Sequence, residues 1–321
     1  MKKKAIILGI ESSCDETAVA LIQENSDGDP SILSNIVSSQ VDIHKEFGGV
    51  VPELAARSHI EKIDLIAKKA IKESGKKLED VDAIAATAGP GLIVCLSVGL
   101  NFGKSIASFL SNPFIAVNHL EGHALSPKLV TKLDYPYLLL LISGGHSQYL
   151  SVQGLGKYKR LGTTIDDALG EAFDKTAKLL GIEFPGGPLL EKFAEKGDPE
   201  KFKLPKPIIN KGGCNLSFAG LKTAVLKISK NKKKKKNTFV VAGGVAANKK
   251  IRKGLTDLSI KENFDPIFPP LDLCGDNAAM IAMVGLEKFK IKKYDSFDHP
   301  AKPRWPLDSK AIFLKGAGVK L

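Results

Sequence analysis

Two histidines four residues apart form the most distinctive pattern in the sequence. The segment His119-Leu-Glu-Gly-His123 would place both imidazoles on one face of a helix, where they could bind one metal ion together with a carboxylate from elsewhere. Two incidental histidines on a partly exposed helix would show the same spacing, so both interpretations stay open. Zinc peptidases need a glutamate directly after the first histidine, whereas Glu121 comes two residues later, about 200° around the helix. A metallopeptidase is therefore the least favoured function.

Three glycine turns follow predicted strands and are candidate anion-binding sites. Small residues let backbone N–H groups approach a phosphate closely, but an ordinary hairpin explains each of the first two turns equally well when it is taken alone. The third turn opens a helix, whose N-terminus suits nucleotide contacts. None of the turns has the spacing of a dinucleotide-binding fingerprint or a P-loop. Three such turns, divided between the two halves of the chain, favour an actin-like or sugar-kinase-like nucleotide cleft. The turns are Gly9–Thr17, Ser143–Gln148 and Ala242–Asn248.

Acidic residues beside these turns are further candidates for chemistry. They lie at glycine turns or at predicted helix starts, where carboxylates often serve only as helix caps, and we expect Asp166 or Asp167 to cap the helix predicted from Ala168. Asp276 precedes the final predicted helix, so a capping role and a functional role are equally open for it. The set comprises Asp15, Glu16, Asp166, Asp167, Glu171, Asp174 and Asp276.

The elements that must position these residues alternate between strands and helices. A strand–turn–strand unit opens each half of the chain, near residues 10 and 143, and this weak internal repeat predicts two similar α/β lobes around a cleft. Runs of apolar residues predict strands at Ala5–Ile10, Ala18–Ile22, Ile32–Val37, Ala83–Thr87, Phe114–Val117, Leu138–Ile142, Tyr149–Val152 and Phe239–Ala242. Helical periodicity predicts helices at Val51–Glu73, Ser97–Leu110, Ala168–Leu180 and Leu189–Glu195, from about Ala246, and at Asn277–Lys290.

The composition is that of a folded, moderately basic chain. Its 321 residues are 43% hydrophobic and 26% charged, which excludes a disordered chain and suggests about two domains. Half of the net charge of +12 comes from the lysine run Lys230–Lys236. We interpret that run as a solvated linker, and the alternative is a phosphate-binding tail.

Cysteine usage and hydropathy favour a cytoplasmic location. The four cysteines form no Cys-x-x-Cys pair and no dense pattern, as expected in a reducing compartment. The apolar run Ala5–Ile10 is too short for a signal-peptide core. No uncharged apolar stretch of about 18 residues without glycine or proline is present, so we expect no membrane span.

Together, the motifs of this sequence resemble those of the bacterial TsaD/YgjD family. Members of this family synthesise threonylcarbamoyladenosine in tRNA and were formerly described as O-sialoglycoprotein endopeptidases. The resemblance runs through nearly the whole chain in the family's order. The matching segments are Gly9–Thr17, Gln40–His44, Phe47–Ala55, Ala88–Leu92, His119–His123, Ile142–Gln148, Ile165–Ala177, Pro185–Pro188, Ser217–Thr223, Ala242–Asn248 and Pro303–Pro306.

The resemblance implies an α/β fold of the actin-like (ASKHA, ribonuclease-H-like) class, duplicated into two lobes with a central nucleotide cleft. We expect a first lobe at residues 1–126, a second at 127–287 and a C-terminal segment at 288–321 that returns to the first. The family carries a few tens of further residues in the second lobe, where this chain has only a short lysine-rich stretch. The second lobe is therefore expected to be shortened around 224–238.

The resemblance also assigns roles to individual residues. His119, His123 and Asp276 match the family's metal ligands, a set that usually holds iron or zinc. Asp15 and Glu16 lie in the first hairpin, where a role in deprotonating or orienting the attacking amine is expected. The substrate-binding positions of the family match Leu141, Ile142, Ser143, Gly144, Gly145, Asp174, Gly187 and Asn248.

The activity implied is transfer of a threonylcarbamoyl group from threonylcarbamoyl-AMP to N6 of the adenosine 3′ of the anticodon, in tRNAs that read codons beginning with A. The implied partners are tRNA, a smaller paralogous subunit (TsaB-like), an ATPase subunit (TsaE-like) and the synthase that makes the adenylate. A nucleotide-binding scaffold without transferase activity is the alternative, because loss of the second-lobe helices would expose apolar surface and weaken that core.

Overall fold

The chain divides into two compact units. The computed structural model describes residues 4–195, 197, 208, 212–217 and 237–312. The first unit comprises Met1–Leu133 and Asp276–Leu307, and the second comprises Asp134–Gly275 and Asp308–Leu321. The final helix, Ala278–Lys290, thus belongs to the first unit, whereas the predicted boundary at residue 287 would place most of it in the second lobe.

The first unit is built on a mixed five-stranded sheet in the order β3-β2-β1-β4-β5. The strands β1, β2 and β3 pair antiparallel, whereas β1, β4 and β5 pair parallel. The strands are β1 (Ile6–Glu11), β2 (Glu16–Glu24), β3 (Pro30–Ser39), β4 (Ala83–Gly89) and β5 (Phe114–Asn118). The helices are α1 (Val41–Lys45), α2 (Pro52–Ser74), α3 (Ile93–Leu110), α4 (His119–Leu125) and, from the end of the chain, α8 (Ala278–Lys290). Short 3-10 turns occupy Leu78–Asp80 and Ser126–Leu129.

Helices cover both faces of this first sheet, which explains why its parallel strands are continuous apolar runs. A Cβ at Gly103 of α3 would lie 3.2 Å from Ile10 Cδ1 of β1. On the opposite face, a Cβ at Gly9 would lie 2.8 Å from Ala282 Cβ of α8. Since neighbouring strand residues point to opposite faces, β1 contacts α3 with Ile10 and α8 with Gly9.

The second unit repeats the same strand order. Its five-stranded sheet runs β10-β9-β6-β7-β8, with β6, β7 and β8 antiparallel and β6, β9 and β10 parallel. This duplicated order confirms the predicted actin-like, ribonuclease-H-like architecture. The strands are β6 (Tyr137–Ile142), β7 (Ser147–Gly154), β8 (Lys157–Thr163), β9 (Asn237–Ala242) and β10 (Phe264–Ile267). Within the described part of this unit, the helices are α5 (Leu169–Leu179), α6 (Gly186–Ala194) and α7 (Lys249–Lys261), with 3-10 turns at Gly244–Ala247 and Leu271–Leu273.

One described helix is long and apolar enough to cross a membrane by length and composition, namely α3. It contains Gly99, Gly103 and Lys104, which is why the stricter sequence criterion did not select it. Its glycine face packs against β1 and β4, as in the core helix of a folded domain. All four cysteines are free thiols, in keeping with the predicted absence of a disulfide framework. The lysine run Lys230–Lys236 and residues 224–236 of the predicted deletion lie outside the described residues.

Candidate metal centre

The histidine pair lies on α4, a buried helix that begins directly where β5 ends. Asn118, the last residue of β5, caps α4 because its side-chain oxygen accepts hydrogen bonds from the backbone N–H groups of Leu120 at 2.9 Å and Glu121 at 3.4 Å. Every residue of α4 is buried. The cap thus fixes the first turn of a helix that has little freedom to move.

Small residues bring α8 close to both α4 and β1. A Cβ at Gly122 would lie 3.0 Å from Ile281 Cδ1 of α8, and a Cβ at Gly9 would lie 2.4 Å from the carbonyl oxygen of Ala278. Side chains at these two positions would therefore push α8 away. The start of α8, with Asp276 just before it, is held beside the histidines as a result.

Asp276 completes the cluster. Its Oδ1 lies 3.0 Å from Nε2 of His123 and 3.4 Å from Nε2 of His119, and the two rings meet edge to face with centroids 4.7 Å apart. One ligand atom from each of the three residues lies within 4.8 Å of the others. Asn277, not Asp276, caps α8 by accepting a hydrogen bond from Met280 N at 3.1 Å. The carboxylate of Asp276 therefore faces the histidines rather than the helix backbone.

The donor set fits a divalent transition metal. Two borderline imidazole nitrogens and one hard carboxylate oxygen form a mixed set that suits iron or zinc and leaves further coordination positions open. Both Nε2 atoms face the same carboxylate oxygen, which is the arrangement of ligands around a shared cation. His119, His123 and Asp276 are thus the residues that would hold the metal.

In the metal-free cluster, the carboxylates and the imidazoles each stabilise the charged form of the other. Burial opposes ionisation of Asp276, but the neighbouring imidazoles of His119 and His123 outweigh it and hold the pKa of Asp276 well below its usual value. Burial likewise disfavours the charged form of His119, yet Asp276 and Glu11 raise the pKa of His119 well above 6.5. His119 is therefore an imidazolium at neutral pH until a cation displaces its proton.

Glu11 is a residue that sequence reasoning did not single out, although it lies inside the Gly9–Thr17 motif. It is 1% exposed at the end of β1, and its Oε2 lies 3.0 Å from Nδ1 of His119. Burial would raise the pKa of Glu11, but the charge of His119 keeps it below the usual 4.5. An acidic residue at the end of a central strand, beside a glycine turn, is the signal that could have identified it.

Glu121 does not join this cluster. Its Oε2 lies 3.4 Å from Nζ of Lys288, and both side chains are buried, at 5% and 7% exposure. Lys288 also donates a hydrogen bond to Ala116 O at 2.9 Å. Glu121 is thus part of a structural ion pair between α4 and α8, which argues against the metallopeptidase alternative.

The predicted catalytic residues Asp15 and Glu16 lie in the turn between β1 and β2. A buried histidine supports this turn, since His59 Nε2 donates to Cys14 O at 3.0 Å and the Thr17 hydroxyl donates to His59 Nδ1 at 2.7 Å. Burial, with the nearby charges of Asp276 and Asp15, raises the pKa of Glu16 to about 10. Glu16 therefore keeps its proton at neutral pH and can donate a hydrogen bond, but it is not a base in the metal-free protein.

The predicted substrate residues all lie in the second unit, and five of them end β6 or form the turn that follows it. Leu141 and Ile142 end β6 and are buried, and Ser143, Gly144 and Gly145 form the turn to β7. The turn is closed by a hydrogen bond from Ser143 N to His146 O at 2.8 Å. Among the described residues, nothing lies within 4 Å of a Cβ built on Gly144 or Gly145. Packing against the described residues therefore does not explain the two glycines.

Three further predicted substrate residues lie on α5, at the start of α6 and just before α7. Asp174 Oδ1 accepts hydrogen bonds from Gly186 N at 2.9 Å and Gly187 N at 3.2 Å, so the structure brings Asp174 and Gly187 together. Asn248 caps α7 by accepting from Ile251 N at 3.0 Å. The turn before Asn248 adjoins the β6 turn, because Gly243 has φ +101° and a Cβ there would lie 2.4 Å from Ile142 O.

The helix that follows this strand–turn unit is capped differently from the prediction. We expected Asp166 or Asp167 to cap α5, but the hydroxyl of Ser147 accepts the hydrogen bond from Leu169 N at 2.8 Å. Asp166 instead accepts from Thr164 Oγ1, and Asp167 pairs with Lys175 at 2.7 Å. The local sequence shows the acidic residues but not that β7 places a serine at the start of the helix.

Comparisons with known proteins agree with this description. Residues 31–283 match the model of the family described as TsaD, tRNA N6-adenosine threonylcarbamoyltransferase. A relative of that name from Pelagibacter ubique is 70% identical over 357 aligned residues, covering 100% of both chains. Another from Zymomonas mobilis is 49% identical over 350 residues, covering 98% of this chain and 95% of the relative. Among solved structures, full-length HypF in the phosphate- and nucleotide-bound form has a TM-score of 0.56 at 15% identity, covering 92% of this chain and 48% of HypF.

The alignment with the Pelagibacter relative is longer than this chain. It spans 357 positions against 321 residues, a difference of 36, so about that many positions of the relative have no counterpart here. This difference has the size of the shortening predicted around 224–238.

The duplicated sheets and the buried cluster of two histidines and an aspartate define an actin-like protein with a candidate metal centre. The sequence comparisons narrow this class to one family. The chain belongs to the tRNA N6-adenosine threonylcarbamoyltransferases.

Proposed function

We propose that this chain transfers the threonylcarbamoyl group of threonylcarbamoyl-AMP to N6 of the adenosine 3′ of the anticodon, in tRNAs that read codons beginning with A. The observation that carries the proposal is 70% identity to a threonylcarbamoyltransferase along the entire chain. The convergence of His119, His123 and Asp276 supports it, since these are the residues to which the resemblance assigns the metal.

The reaction requires an activated threonylcarbamoyl group, because an adenine N6 is a poor nucleophile whose lone pair is delocalised into the ring. A metal held by His119, His123 and Asp276 supplies Lewis-acid polarisation of a carbonyl or carboxylate oxygen. Iron is the favoured metal and zinc the alternative. The chain's own task is to orient the ligands and to hold the reactants in line, which accounts for much of the remaining acceleration.

The second unit would bind the nucleotide part of the substrate. Backbone N–H groups of Ser143, Gly144 and Gly145 are suited to hold the phosphate of the departing AMP, since bare glycines allow close approach. Leu141 and Ile142 place this turn at the end of β6. Asp174, Gly187 and Asn248 are assigned the remaining contacts. Two of them already make backbone hydrogen bonds, which fixes their orientation.

Asp15 and Glu16 are assigned to orientation of the attacking amine. A protonated Glu16 can donate a hydrogen bond, and its proton would have to leave before it could act as a base. For Glu16 to be the general base, its pKa would have to be lower in the substrate complex. The simpler proposal is that Asp15 removes the proton from the attacking amine.

The proposed setting is the cytoplasm, with tRNA as substrate and with TsaB-like, TsaE-like and synthase partners. The target base lies in a single-stranded loop and can be splayed out at little cost. Basic surface on the chain would contact tRNA phosphates, and binding should weaken steeply as salt increases.

The experiment that tests this proposal measures incorporation of labelled threonine into tRNA by the full chain with the family's partner proteins. Asp276→Asn should lower incorporation by about 100-fold or more, because one ligand charge is lost. Asp272→Asn is the matched control, since Asp272 is an exposed carboxylate outside the cluster and its loss should leave incorporation unchanged. Adenylate binding without any incorporation by the wild-type chain would favour the scaffold alternative.

A further inference from the structure

Beside the three metal ligands, the buried carboxylate of Glu11 contacts the ring of His119 on the side away from Asp276. We propose that Glu11 is a positioning residue of the metal centre: it accepts the Nδ1–H of His119 and so directs the Nε2 lone pair of that ring toward the cation. This inference rests on the metal centre of the proposed function and adds a fourth residue, one that would not touch the metal.

The hydrogen bonds of Glu11 show that it acts as an acceptor. Its Oε1 accepts from the backbone N–H of Ser13 at 2.5 Å, and its Oε2 accepts from the hydroxyl of Thr87 at 2.6 Å. The backbone N–H is an obligate donor, and the Thr87 hydroxyl is far closer to Glu11 than to Ile10 O, its other acceptor at 3.4 Å. Glu11 is thus an ionised carboxylate with both oxygens directed by donors.

This arrangement selects one tautomer of His119. Since Glu11 Oε2 carries negative charge 3.0 Å from Nδ1, the proton of a neutral His119 ring lies on Nδ1 and its Nε2 is the free ligand atom. The hydroxyl of Ser13 also lies 3.3 Å from Nδ1. This distance is longer than that to Glu11 and the hydroxyl is uncharged, so the carboxylate is the stronger acceptor. Carboxylates of this kind orient metal-binding histidines and raise their basicity.

The second histidine has no comparable support. Within the described residues, Nδ1 of His123 is buried without a hydrogen-bond partner. The orientation of His123 therefore depends on the packing of α4 and on Asp276, whereas His119 is held by a charged group from β1. Glu11 thus links the central strand of the first sheet to the metal centre.

The test compares metal affinity in two full-length variants, Glu11→Gln and Thr87→Val. Gln has the shape of Glu without its charge, so we expect Zn²⁺ and Co²⁺ to bind about 10- to 100-fold more weakly in chelator competition. Thr87→Val removes one hydrogen bond from the same carboxylate and leaves its charge, so affinity should stay within about threefold of wild type. Unchanged affinity in Glu11→Gln would overturn the proposal.

A second readout separates positioning from a general loss of stability. In metal-free protein labelled with ¹⁵N-histidine, the Nδ1 proton of His119 should resonate far downfield, as expected for a carboxylate acceptor, and should move upfield in Glu11→Gln but not in Thr87→Val. If Glu11→Gln does not fold, Glu11→Asp keeps the charge on a shorter side chain. Its metal affinity should then fall by about 10-fold, and wild-type affinity in that variant would overturn the proposal.

The outcomes distinguish this inference from the proposed function. A wild-type chain that binds neither cation contradicts the metal centre itself and the inference with it. A wild-type chain that binds metal and transfers threonine, together with a Glu11→Gln variant of equal metal affinity, contradicts the role of Glu11 alone.

Discussion

At the scale of single residues, the metal-free cluster is an alternating row of charges: Glu11, His119 and Asp276. Each carboxylate raises the proton affinity of the imidazole between them, and the imidazole lowers that of the carboxylates. A cation that binds Nε2 of His119 therefore competes with a tightly held proton. The protonation state of one ring connects metal binding to pH.

We predict that metal affinity rises with pH throughout the neutral range. Because the pKa of His119 is raised well above 6.5, the ring stays protonated across this range and each cation bound displaces about one proton. Apparent affinity should therefore increase about tenfold per pH unit until the pH passes the pKa of the ring. Calorimetry in buffers of different ionisation enthalpy measures the proton released. Affinity that does not vary between about pH 6 and pH 8 would contradict the raised pKa.

A second prediction concerns Glu16 and the stability of the metal-free protein. Its pKa is raised from 4.5 to about 10, so between these values the folded chain keeps a proton that the unfolded chain has released. Because the folded chain binds more protons than the unfolded chain in this window, the free energy of unfolding of wild type falls, relative to that of Glu16→Gln, as the pH rises. We expect equal stability near about pH 4 and an advantage of at least ~1 kcal/mol for Glu16→Gln at about pH 8.

Urea unfolding at a series of pH values measures this difference. Glu24→Gln provides a matched control on the same strand, because Glu24 lies at the far end of β2, away from the cluster. A stability difference between wild type and Glu16→Gln that stays constant with pH would show that Glu16 is ionised in the folded chain.

How much of the site follows from sequence depends on how far apart its residues lie. The spacing of His119 and His123 indicates a shared face, since four residues make about one helical turn. The third member of the cluster, Asp276, lies 153 positions from His123, and only the family resemblance placed it with the two histidines. Glu11 likewise belongs to no local pattern, because its partner His119 is 108 positions away and because an acidic residue at the end of a strand carries no signal of its own.

At the scale of elements, the site depends on how closely α8 approaches the sheet. The contact is made by residues with little or no side chain, since a Cβ at Gly9 would lie 2.4 Å from Ala278 O and a Cβ at Gly285 would lie 2.6 Å from Ala85 Cβ. Backbone atoms are thus in direct contact, and no flexible side chain is present to absorb an added methyl group.

We therefore predict that Gly9→Ala displaces α8 and weakens the metal centre. Overpacking of this kind costs about 1–3 kcal/mol, and the shift of Asp276 should lower metal affinity as well. Thermal unfolding and chelator competition measure the two effects. Gly254→Ala is the matched control, since nothing lies within 4 Å of a Cβ at Gly254 and alanine is favoured in a helix. Equal behaviour of the two variants would contradict the close contact of α8 with β1.

The elements that sequence predicted are those with a clear apolar period. The buried strands β1, β4 and β6 were predicted to within about two residues, as is usual for strands covered on both faces. The edge strand β8 was missed because its sequence, Lys-Tyr-Lys-Arg-Leu-Gly-Thr, has no apolar run and its residues are largely exposed. The helix predicted from Ala246 is a 3-10 turn at Gly244–Ala247 followed by α7, since Asn248 forms a cap between them.

At the scale of the whole molecule, the two units share one strand order. Both units expose large apolar side chains, and in the second unit Leu180, just after α5, and Phe193 on α6 are each 64% exposed. The Pelagibacter relative of this chain has about 36 aligned positions that the chain lacks, because the alignment spans 357 positions and the chain has 321 residues. We predict that these positions lie where the second lobe is expected to be shortened, around 224–238, and that they cover this apolar surface in the relative.

The last prediction follows from this difference in length. Inserting the corresponding segment of the Pelagibacter relative between Thr223 and Phe239 should stabilise the second unit, because burying one large apolar side chain contributes about 1.5–3 kcal/mol. Thermal unfolding of the full chain and the insertion variant measures the gain, with an insertion of equal length rich in glycine and serine as the control. Equal melting temperatures in all three proteins would show that the segment covers no apolar surface.

The same pair of proteins separates the two functional alternatives. Each would be the sole copy of the gene in cells whose native enzyme is absent, and threonylcarbamoyladenosine in tRNA would be measured. Modification by both proteins would show that the metal centre of the first unit and the glycine turns of the second suffice for transfer. If only the insertion variant modified tRNA, the chain without the insertion would be a binding scaffold. Its second unit would then carry the required residues but be too unstable to support transfer.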